Sequence, residues 1–393
     1  MDNTQTIHTQ HLKRGHILAK TVVDQEGYTI AEAHTRLYSP AIKRIRDAGI
    51  ESVEIFRSNV KNPQARERLR MWEPQQVEET PYRHELGIVR TAYDFLASLL
   101  TNNAQQISQG SEPSLSQEQI FSHLNDLMES YLRNYRALLS LSGMAQKRHS
   151  PQVQHALRRT LIACALATHI TKGDRQETLY MTAASLLADI GMHRIPTAII
   201  NKPGKLDEQE RKVLETHPIL AARILQKRNF PQPVLRYILE HHERLDGTGY
   251  PKGLAGNDIS LGAALVGLCD TYCAMTSVRS YRGAENPTMA LAKILQGKGV
   301  VHHGELVDKL VRYIGIFPIG TIVKLSTDEI GVVNQHFPDA PLRPRVAVGI
   351  NERGQKAPRP FLRDLKTEED IKIMRVVDPQ AVSLDVGQLL YLR

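Results

Sequence analysis

The chain has 393 residues, 23% of them charged and 41% hydrophobic, with a formal net charge of +8 at pH 7. This length predicts two or three domains with at least one sizeable core, and the apolar content excludes a disordered chain. The most apolar stretches, residues 161–166 and 261–269, fall far short of the roughly 20 residues that a membrane-spanning helix needs. We therefore expect no membrane span.

The N-terminal residues 1–10 are polar and lack the apolar segment of a secretory signal. Cys164, Cys269 and Cys273 cannot build a disulfide framework and suit a reducing compartment, where they behave as small buried apolar residues. The positive charges are scattered without a long Lys or Arg block, so nucleic acid is not predicted as a partner. Together these features predict a cytoplasmic protein.

The residue pattern changes twice within the first 100 residues. Residues 1–60 combine short apolar alternations, a helical stretch at 39–48 and a strand at 53–56, which predicts a small α+β module. Residues 61–82 are polar and predict a linker. Helical periodicity then runs from Leu86 to Leu100 and stops in a loop at 109–114.

The rest of the chain is helical first and then rich in strands. Ser116 with Gln119 predicts a capping box for a helix that continues to Leu138. Residues 149–296 show one helical pattern after another with short loops, which predicts an all-α core. After Pro318, apolar segments that include residues 389–392 alternate with turns and predict a β-rich module.

These patterns predict a mainly α protein: an all-α helical bundle core with a small α+β N-terminal module and a small β-rich C-terminal module. The predicted boundaries are 1–60 for the N-terminal module, 61–82 for the linker, 83–312 for the helical domain and 313–393 for the C-terminal extension.

Five polar segments stand in order within the helical region, at 187–191, 216–218, 241–243, 246–251 and 270–272. Imidazole and carboxylate ligands delivered from successive helices are how a helical bundle builds a metal site. A shared carboxylate such as Asp189 would bridge two ions about 3.5–4 Å apart, an arrangement that suits phosphoester hydrolysis.

Each element also has a simpler interpretation. A lone buried histidine such as His217 is often a satisfied core residue, and Asp189 suits a surface position at the end of a helix. His241 and His242 are about 100° apart on a helix, so both face one site only obliquely or around more than one ion. The combination in this order is far more specific than any part.

The region resembles the HD-GYP domain, a subgroup of the HD metal-dependent phosphohydrolases whose members hydrolyse the bacterial second messenger cyclic di-GMP. The resemblance covers about 149–296, while residues 1–56 and 313–393 are more weakly similar to modules often fused to this domain. The matching segments are Ile-Pro at 195–196, Asn-Lys-Pro-Gly-Lys-Leu at 201–206, Thr-His-Pro at 216–218, His-His-Glu-Arg-Leu-Asp-Gly-Thr-Gly-Tyr-Pro at 241–251, Asp270, Met-Thr-Ser at 275–277 and Arg-Ser-Tyr-Arg at 279–282.

The resemblance implies two metal positions that share Asp189. It implies that His217, His241 and His242 complete the second position, and that His149 and Asp270 serve the first. Asp189 and Asp270 are the implied catalytic carboxylates. The cofactor would be one or two divalent ions, with Fe or Mn favoured and Ni or Zn left open.

Three residues depart from the family pattern. Ala188 stands at the His of the His-Asp pair, Met192 at a phosphate-contacting Lys, and Cys273 at the second Asp of an Asp-x-x-Asp run. Arg279 and Arg282 remain where the family contacts substrate phosphates, with surface solvation as the alternative. The loss of a ligand and of a positive charge predicts reduced or lost hydrolysis.

Three functions remain open. The first is a cyclic di-GMP phosphodiesterase of reduced activity. The second is a catalytically inactive module that binds the nucleotide, or regulates diguanylate cyclase (GGDEF) domain proteins through a docking loop of Gly249, Tyr250 and Pro251. The third is an HD phosphohydrolase for another nucleotide. A homodimer is also left open.

Overall fold

The computed structural model describes residues 4–12, 16, 18–23, 29–31, 37, 42, 45–56, 82–143, 149–277 and 285–392. The chain divides into two compact units, Met1–Glu73 and Pro74–Arg393. The predicted linker at 61–82 lies almost wholly outside the described residues, since only Tyr82 is described. None of the helices in the described parts of the chain has the length and apolar character to cross a membrane.

The described part of the first unit contains two short antiparallel pairs of strands. Strand β1 (Thr4–His8) pairs with β4 (Ser52–Phe56), and β2 (Val22–Val23) pairs with β3 (Thr29–Ala31). Residues 42 and 45–47 are helical, as predicted. The α+β prediction for this module is confirmed. Its most deeply buried side chains are Leu18, Leu37, Ile45 and Ile55.

The second unit begins with a bundle of helices. In chain order they are α1 (Tyr82–Ser108), α2 (Gln117–Arg133), α3 (Tyr135–Gly143), α4 (Pro151–Ile170), α5 (Arg175–Leu187), α6 (Thr197–Ile200), α7 (Glu208–Leu214), α8 (His217–Gln226), α9 (Gln232–Glu240), α10 (Leu261–Met275), α11 (Pro287–Gln296) and α12 (Gly304–Ile314). Among the described residues, one apolar core joins these helices except α6 and α7, which confirms the predicted all-α core.

The helix predicted from Ser116 to Leu138 is two helices. The Ser116 side chain accepts a hydrogen bond from the Gln119 backbone N–H and caps the start of α2. Asn134 then separates α2 from α3 with φ −154° and ψ 90°, and its Oδ1 accepts a hydrogen bond from Arg136 N at 3.2 Å. An Asn side chain that bonds the nearby backbone offers the chain an alternative to the helix, which explains the break.

A five-stranded antiparallel sheet follows the helices, with the strand order β8-β7-β6-β5-β9. Its strands are β5 (Ile322–Leu325), β6 (Ile330–Gln335), β7 (Arg345–Ile350), β8 (Lys356–Asp364) and β9 (Ile373–Val376). The β-rich prediction is confirmed. Residues 389–392 differ, because the short helix α13 (Val386–Leu390), capped by Asp385, covers the first two of them.

The sheet and the helices belong to the same compact unit. The Arg136 side chain of α3 is buried, and its guanidinium donates hydrogen bonds to Asn334 O in β6 at 3.1 Å and to Leu390 O in α13 at 3.5 Å. Tyr135 donates its hydroxyl hydrogen bond to His336 O at 3.0 Å. Polar side chains of one short helix therefore tie the sheet to the bundle.

Two glycines allow a close approach of backbone around the polar segments. A Cβ at Gly191 would lie 2.1 Å from His217 O, and one at Gly267 in α10 would lie 2.2 Å from His241 O. Any larger residue at either position would push these histidine-bearing segments away. The backbone is thus closely packed next to the candidate ligands.

Candidate metal centre

Segments from five places in the helical bundle meet at the polar site. Asp189 follows α5, at the start of a 3₁₀ turn at Ile190–Arg194, and His217 is the first residue of α8. His241 and His242 follow the end of α9, and Asp270 lies on α10. Among the described residues, two sets of potential ligand atoms result, each with all of its atoms within 4.8 Å of one another. The first set is Asp189, His217, His241 and His242, and the second is His155, Asp189 and Asp270.

Two histidines of the first set, His217 and His241, have a ring nitrogen near Asp189 that lacks a hydrogen bond. His217 Nδ1 lies 2.9 Å from Leu214 O, and His241 Nδ1 lies 2.6 Å from Ile238 O. Because a carbonyl oxygen only accepts, each Nδ1 carries the proton and each Nε2 carries a lone pair. Both Nε2 atoms are buried, without a hydrogen-bond partner in the described part of the chain.

Asp189 completes this set. Its Oδ1 lies 3.5 Å from His217 Nε2 and 4.0 Å from His241 Nε2. An Nδ1–H bonded to a carbonyl, with the opposite nitrogen free, is the usual arrangement of a metal-ligating histidine. The donor set and these orphaned buried nitrogens fit a divalent ion.

The protonation states suit metal binding. Burial lowers the pKa of His241 to about 4 and holds the pKa of His242 well below its usual value. Burial alone would raise the pKa of Asp189, but the Arg159 guanidinium outweighs it and holds this pKa below its usual value. At neutral pH these imidazoles are neutral and the carboxylate is ionised, as ligands must be.

Tyr250 packs directly on this set. Its ring lies 4.7 Å from the His242 ring, centroid to centroid, with 27° between the two planes. Glu243, itself buried, holds the segment that follows, because its carboxylate accepts hydrogen bonds from Lys252 N at 2.8 Å and Leu254 N at 2.9 Å. The predicted docking loop of Gly249, Tyr250 and Pro251 is therefore half-buried beside the site.

The second set includes a cation from the protein itself. His155 Nε2 lies 2.8 Å from Asp270 Oδ1. One turn further along α4, Arg159 Nη1 donates to Asp189 Oδ2 at 2.7 Å and to Asp270 Oδ1 at 2.5 Å, while its Nε donates to Ser185 O at 2.8 Å. The Arg159 side chain is 0% exposed. Its guanidinium thus lies between the two carboxylates.

Comparison with known proteins shows which families two regions of this chain resemble. Residues 140–305 match the HD domain, and residues 322–384 match a KOW domain associated with the HD domain. The match confirms the predicted HD-type domain over residues 140–305.

Relatives of the HD domain include named phosphodiesterases. A Pseudomonas aeruginosa protein named cyclic di-GMP phosphodiesterase is 36% identical over 247 residues, 61% of this chain and 58% of the relative. The Xanthomonas campestris protein named cyclic di-GMP phosphodiesterase response regulator RpfG is 37% identical over 139 residues, 35% of this chain and 37% of its own.

Another relative is named for a different substrate. A Vibrio cholerae protein named 3'3'-cGAMP-specific phosphodiesterase 3 is 40% identical over 144 residues, 37% of this chain and 30% of the relative. This chain therefore spans only about a third to little more than half the length of these three relatives. A solved HDG"Y"P protein of Bdellovibrio bacteriovorus aligns over 78% of this chain and 98% of its own, at 19% identity and a TM-score of 0.46.

The structure does not bring His149 to the HD domain's polar site. Neither set of potential ligands among the described residues includes it, and its ring lies 6.1 Å from the Tyr93 ring, centroid to centroid. His155, six residues later, is the upstream histidine that reaches Asp270. His149 precedes α4, whereas His155 lies on the face of α4 that meets α10, so His155 has the position that was predicted for His149. The metal-binding role of either histidine stays a prediction.

Sequence reasoning missed His155 and Arg159. A signal was present, because these polar residues are four positions apart on one helix face and an apolar run from Leu161 to Ala167 follows them. A charged residue at such a position needs a buried partner. Asp189 and Asp270 supply it.

The three residues that depart from the family pattern are all at least half-buried. Ala188 is fully buried and offers no ligand atom. Met192 lies half-buried in the 3₁₀ turn after Asp189. Cys273 is fully buried, and burial raises the pKa of its thiol to about 11, so it stays neutral. Arg279 and Arg282, the predicted phosphate contacts, lie outside the described residues.

Proposed function

We propose that this chain is a cyclic di-GMP signalling protein with a metal-dependent, phosphodiesterase-like HD domain whose hydrolysis is reduced or lost. The observation that carries the metal-dependent part is the pair of buried, unpartnered Nε2 atoms of His217 and His241 beside Asp189 Oδ1. Ala188 and Met192 are the reason to expect reduced hydrolysis, because with them the site lacks a metal ligand and a positive charge.

The proposed cofactor is a divalent ion held by Asp189, His217, His241 and His242. Such an ion would polarise a phosphate oxygen and lower the pKa of a bound water. Three imidazoles and one carboxylate accept Fe or Mn, which we favour, as well as Ni or Zn. The carbonyls of Leu214 and Ile238 fix two of the imidazole rings, so the site is oriented before any ion enters.

The proposed substrate class is a cyclic dinucleotide, with cyclic di-GMP as the first candidate. Support comes from the relatives, which are named cyclic di-GMP phosphodiesterases and a 3'3'-cGAMP-specific phosphodiesterase. Asp189 and Asp270 are the proposed catalytic carboxylates. Arg279 and Arg282 are the proposed phosphate contacts, since a guanidinium donates two parallel hydrogen bonds to a phosphate.

The second candidate function is an inactive module that binds nucleotide or a GGDEF-domain partner through Gly249, Tyr250 and Pro251. The placement of Arg159 between Asp189 and Asp270 favours it, because this guanidinium satisfies both carboxylates without a metal ion. We also propose a cytoplasmic location, a possible homodimer and the domain boundaries 1–60, 61–82, 83–312 and 313–393.

The test uses the full chain, purified anaerobically and loaded in turn with Fe²⁺, Mn²⁺, Ni²⁺ or Zn²⁺. Cyclic di-GMP and 3'3'-cGAMP are each added, and release of the linear dinucleotide or of nucleoside monophosphate is followed by chromatography. We expect slow, metal-dependent release that is lost in Asp189→Ala and retained in Asp126→Ala, a change at an exposed aspartate of α2.

Binding of the same nucleotides is measured by calorimetry on the same samples. Binding without turnover under every metal would overturn the phosphodiesterase proposal and support the inactive nucleotide-binding module. Absence of both would contradict both nucleotide proposals. It would leave the GGDEF partner, tested by binding to chains that lack residues 249–251.

A further inference from the structure

We infer that the Arg159 guanidinium takes the place of one metal ion, so that this HD domain holds a single ion, at Asp189, His217, His241 and His242. The inference rests on the metal site of the proposed function but not on hydrolysis. Its subject is the second set of potential ligands, His155, Asp189 and Asp270, which by residue type alone would also suit an ion.

The guanidinium already occupies the oxygens that such an ion would need. Arg159 Nη1 contacts both Asp189 Oδ2 and Asp270 Oδ1, at 2.7 and 2.5 Å. Asp189 therefore divides its carboxylate, with Oδ1 toward the histidines and Oδ2 toward the guanidinium. A divalent ion bonded to the same two oxygens at about 2.0–2.2 Å would lie against a permanent positive charge.

The histidine of this set is not free to ligate through its near nitrogen. His155 Nε2 lies 2.8 Å from Asp270 Oδ1. An ionised carboxylate only accepts hydrogen bonds, so Nε2 carries the proton and its lone pair is absent from the side that faces the site. The hydrogen bond to Asp270 therefore competes with an ion for this nitrogen.

A further ligand is missing from the same place. Ala188 precedes Asp189 and its methyl group is fully buried, so the chain supplies no donor atom there. The missing ligand at Ala188 and the buried guanidinium of Arg159 both act against an ion at this place. Without an ion, Asp189 and Asp270 would be two neighbouring negative charges in a buried site, and Arg159 compensates both.

Arg159 is held in place independently of the carboxylates. Its Nε donates to Ser185 O, a carbonyl in the last turn of α5, and the side chain is wholly buried. A guanidinium anchored at Nε cannot swing out of the site without leaving this hydrogen bond. The cation is thus a fixed part of the fold rather than a mobile side chain that an arriving ion would displace.

The test is the metal stoichiometry of the full chain saturated with Mn²⁺, read by elemental analysis and by the electron paramagnetic resonance spectrum. We expect one ion per chain and the spectrum of isolated Mn²⁺. His217→Ala removes that ion. The double variant Arg159→Met with Ala188→His, which removes the cation and adds an imidazole, gains a second ion and the spectrum of a coupled Mn²⁺ pair.

Arg158→Met is the matched control. Arg158 neighbours Arg159 on α4, but its Nη1 donates to Thr276 O and Ser277 Oγ instead of the carboxylates. This variant should keep one ion. Circular dichroism establishes that each variant is folded, and if the double variant does not fold, the stoichiometry of the unchanged protein decides alone.

Two ions in the unchanged protein would overturn the inference while leaving the proposed metal-dependent function intact. One ion in a folded double variant would also overturn it, since Arg159 would not then be what excludes the second ion. No ion at all in the unchanged protein would contradict the metal site of the proposed function, and the inference with it.

Discussion

The ring of Tyr250 stacks against the ring of His242, with 4.7 Å between the centroids and 27° between the planes. The tyrosine of the Gly249–Tyr250–Pro251 loop is therefore part of the surroundings of a candidate ligand. Because of this contact, we expect a change in the position of Tyr250 to alter the orientation of His242, and metal binding at His242 to alter the position of Tyr250.

We expect Tyr250→Ala to weaken Mn²⁺ binding, whereas Tyr250→Phe should keep it near the original affinity. A ring pair of this kind is worth about 0.5–1.5 kcal/mol, which corresponds to roughly a two- to tenfold change in affinity. A chelator-dye competition titration measures it. Equal affinities in the Ala and Phe variants would show that the ring does not orient His242.

We expect Glu243→Gln to loosen the segment after Pro251. Both carboxylate oxygens of Glu243 accept backbone hydrogen bonds, from Lys252 N and Leu254 N, and an amide can accept only one of them well. The cost to the free energy of unfolding should be about 1–3 kcal/mol.

Denaturant unfolding and amide hydrogen exchange at residues 252 and 254 check this expectation. The control is Glu305→Gln on α12, where an exposed carboxylate pairs with Lys309. The control should change stability little. If both variants behave alike, Glu243 does not hold the loop.

We expect part of the stability of the second unit to disappear in mild acid because of His336. Burial lowers its pKa to about 4 against an opposing effect of Asp339, and its Nε2 donates to Tyr313 O. The unfolded chain binds a proton below about pH 6.5, while the folded chain does so only near pH 4. The contribution is therefore complete above pH 6.5 and is lost as the pH falls from 6.5 through 4.

The expected loss from this one group is on the order of 3 kcal/mol over that range. Denaturant unfolding at a series of pH values measures the slope, which should become shallower in His336→Gln. The exposed His84 of α1 gives the control, His84→Gln, which should leave the slope unchanged. A slope unaffected by either change would exclude His336 as its source.

We expect Gly267→Ala to lower both metal affinity and stability. The added Cβ would meet His241 O at 2.2 Å, so α10 or the histidine segment must move. Overpacking of this kind typically costs about 1–3 kcal/mol. Thermal unfolding and Mn²⁺ titration measure the two effects.

Gly87→Ala provides the contrast within the same unit. A Cβ at Gly87 in α1 would meet no atom within 4 Å, and alanine is the better helix former. It should be neutral or stabilising. A similar loss in both variants would mean that the effect of Gly267→Ala comes from general helix changes rather than from His241.

Much of the site was accessible from sequence because its ligands occur in short, ordered segments. Asp189, His217, His241 and His242 meet as predicted, since each sits at a helix end that local patterns already marked. Whether they bind a metal stays a prediction. The upstream histidine could not be placed as well, because its identity depends on which face of α4 packs against α10.

Arg159 shows what local patterns leave out. In sequence it is one of two adjacent arginines, and either could face solvent. Its burial follows from carboxylates on two other segments, Asp189 after α5 and Asp270 on α10, which only the folded chain brings together. Asn134 was missed for the opposite reason, since a single local hydrogen bond to the backbone interrupts an otherwise good helical pattern.

The buried Arg136 has a consequence for how this chain can be divided. Its guanidinium is capped by carbonyls of Asn334 and Leu390, which lie about 200 and 250 residues further along the chain. A chain shortened after Ile314 would lack both carbonyl acceptors of the Arg136 guanidinium. A buried guanidinium without hydrogen-bond acceptors would lower the stability of the helical bundle. The region that matches the KOW domain is therefore not separable from the helical bundle. Chimeric proteins should include both regions together.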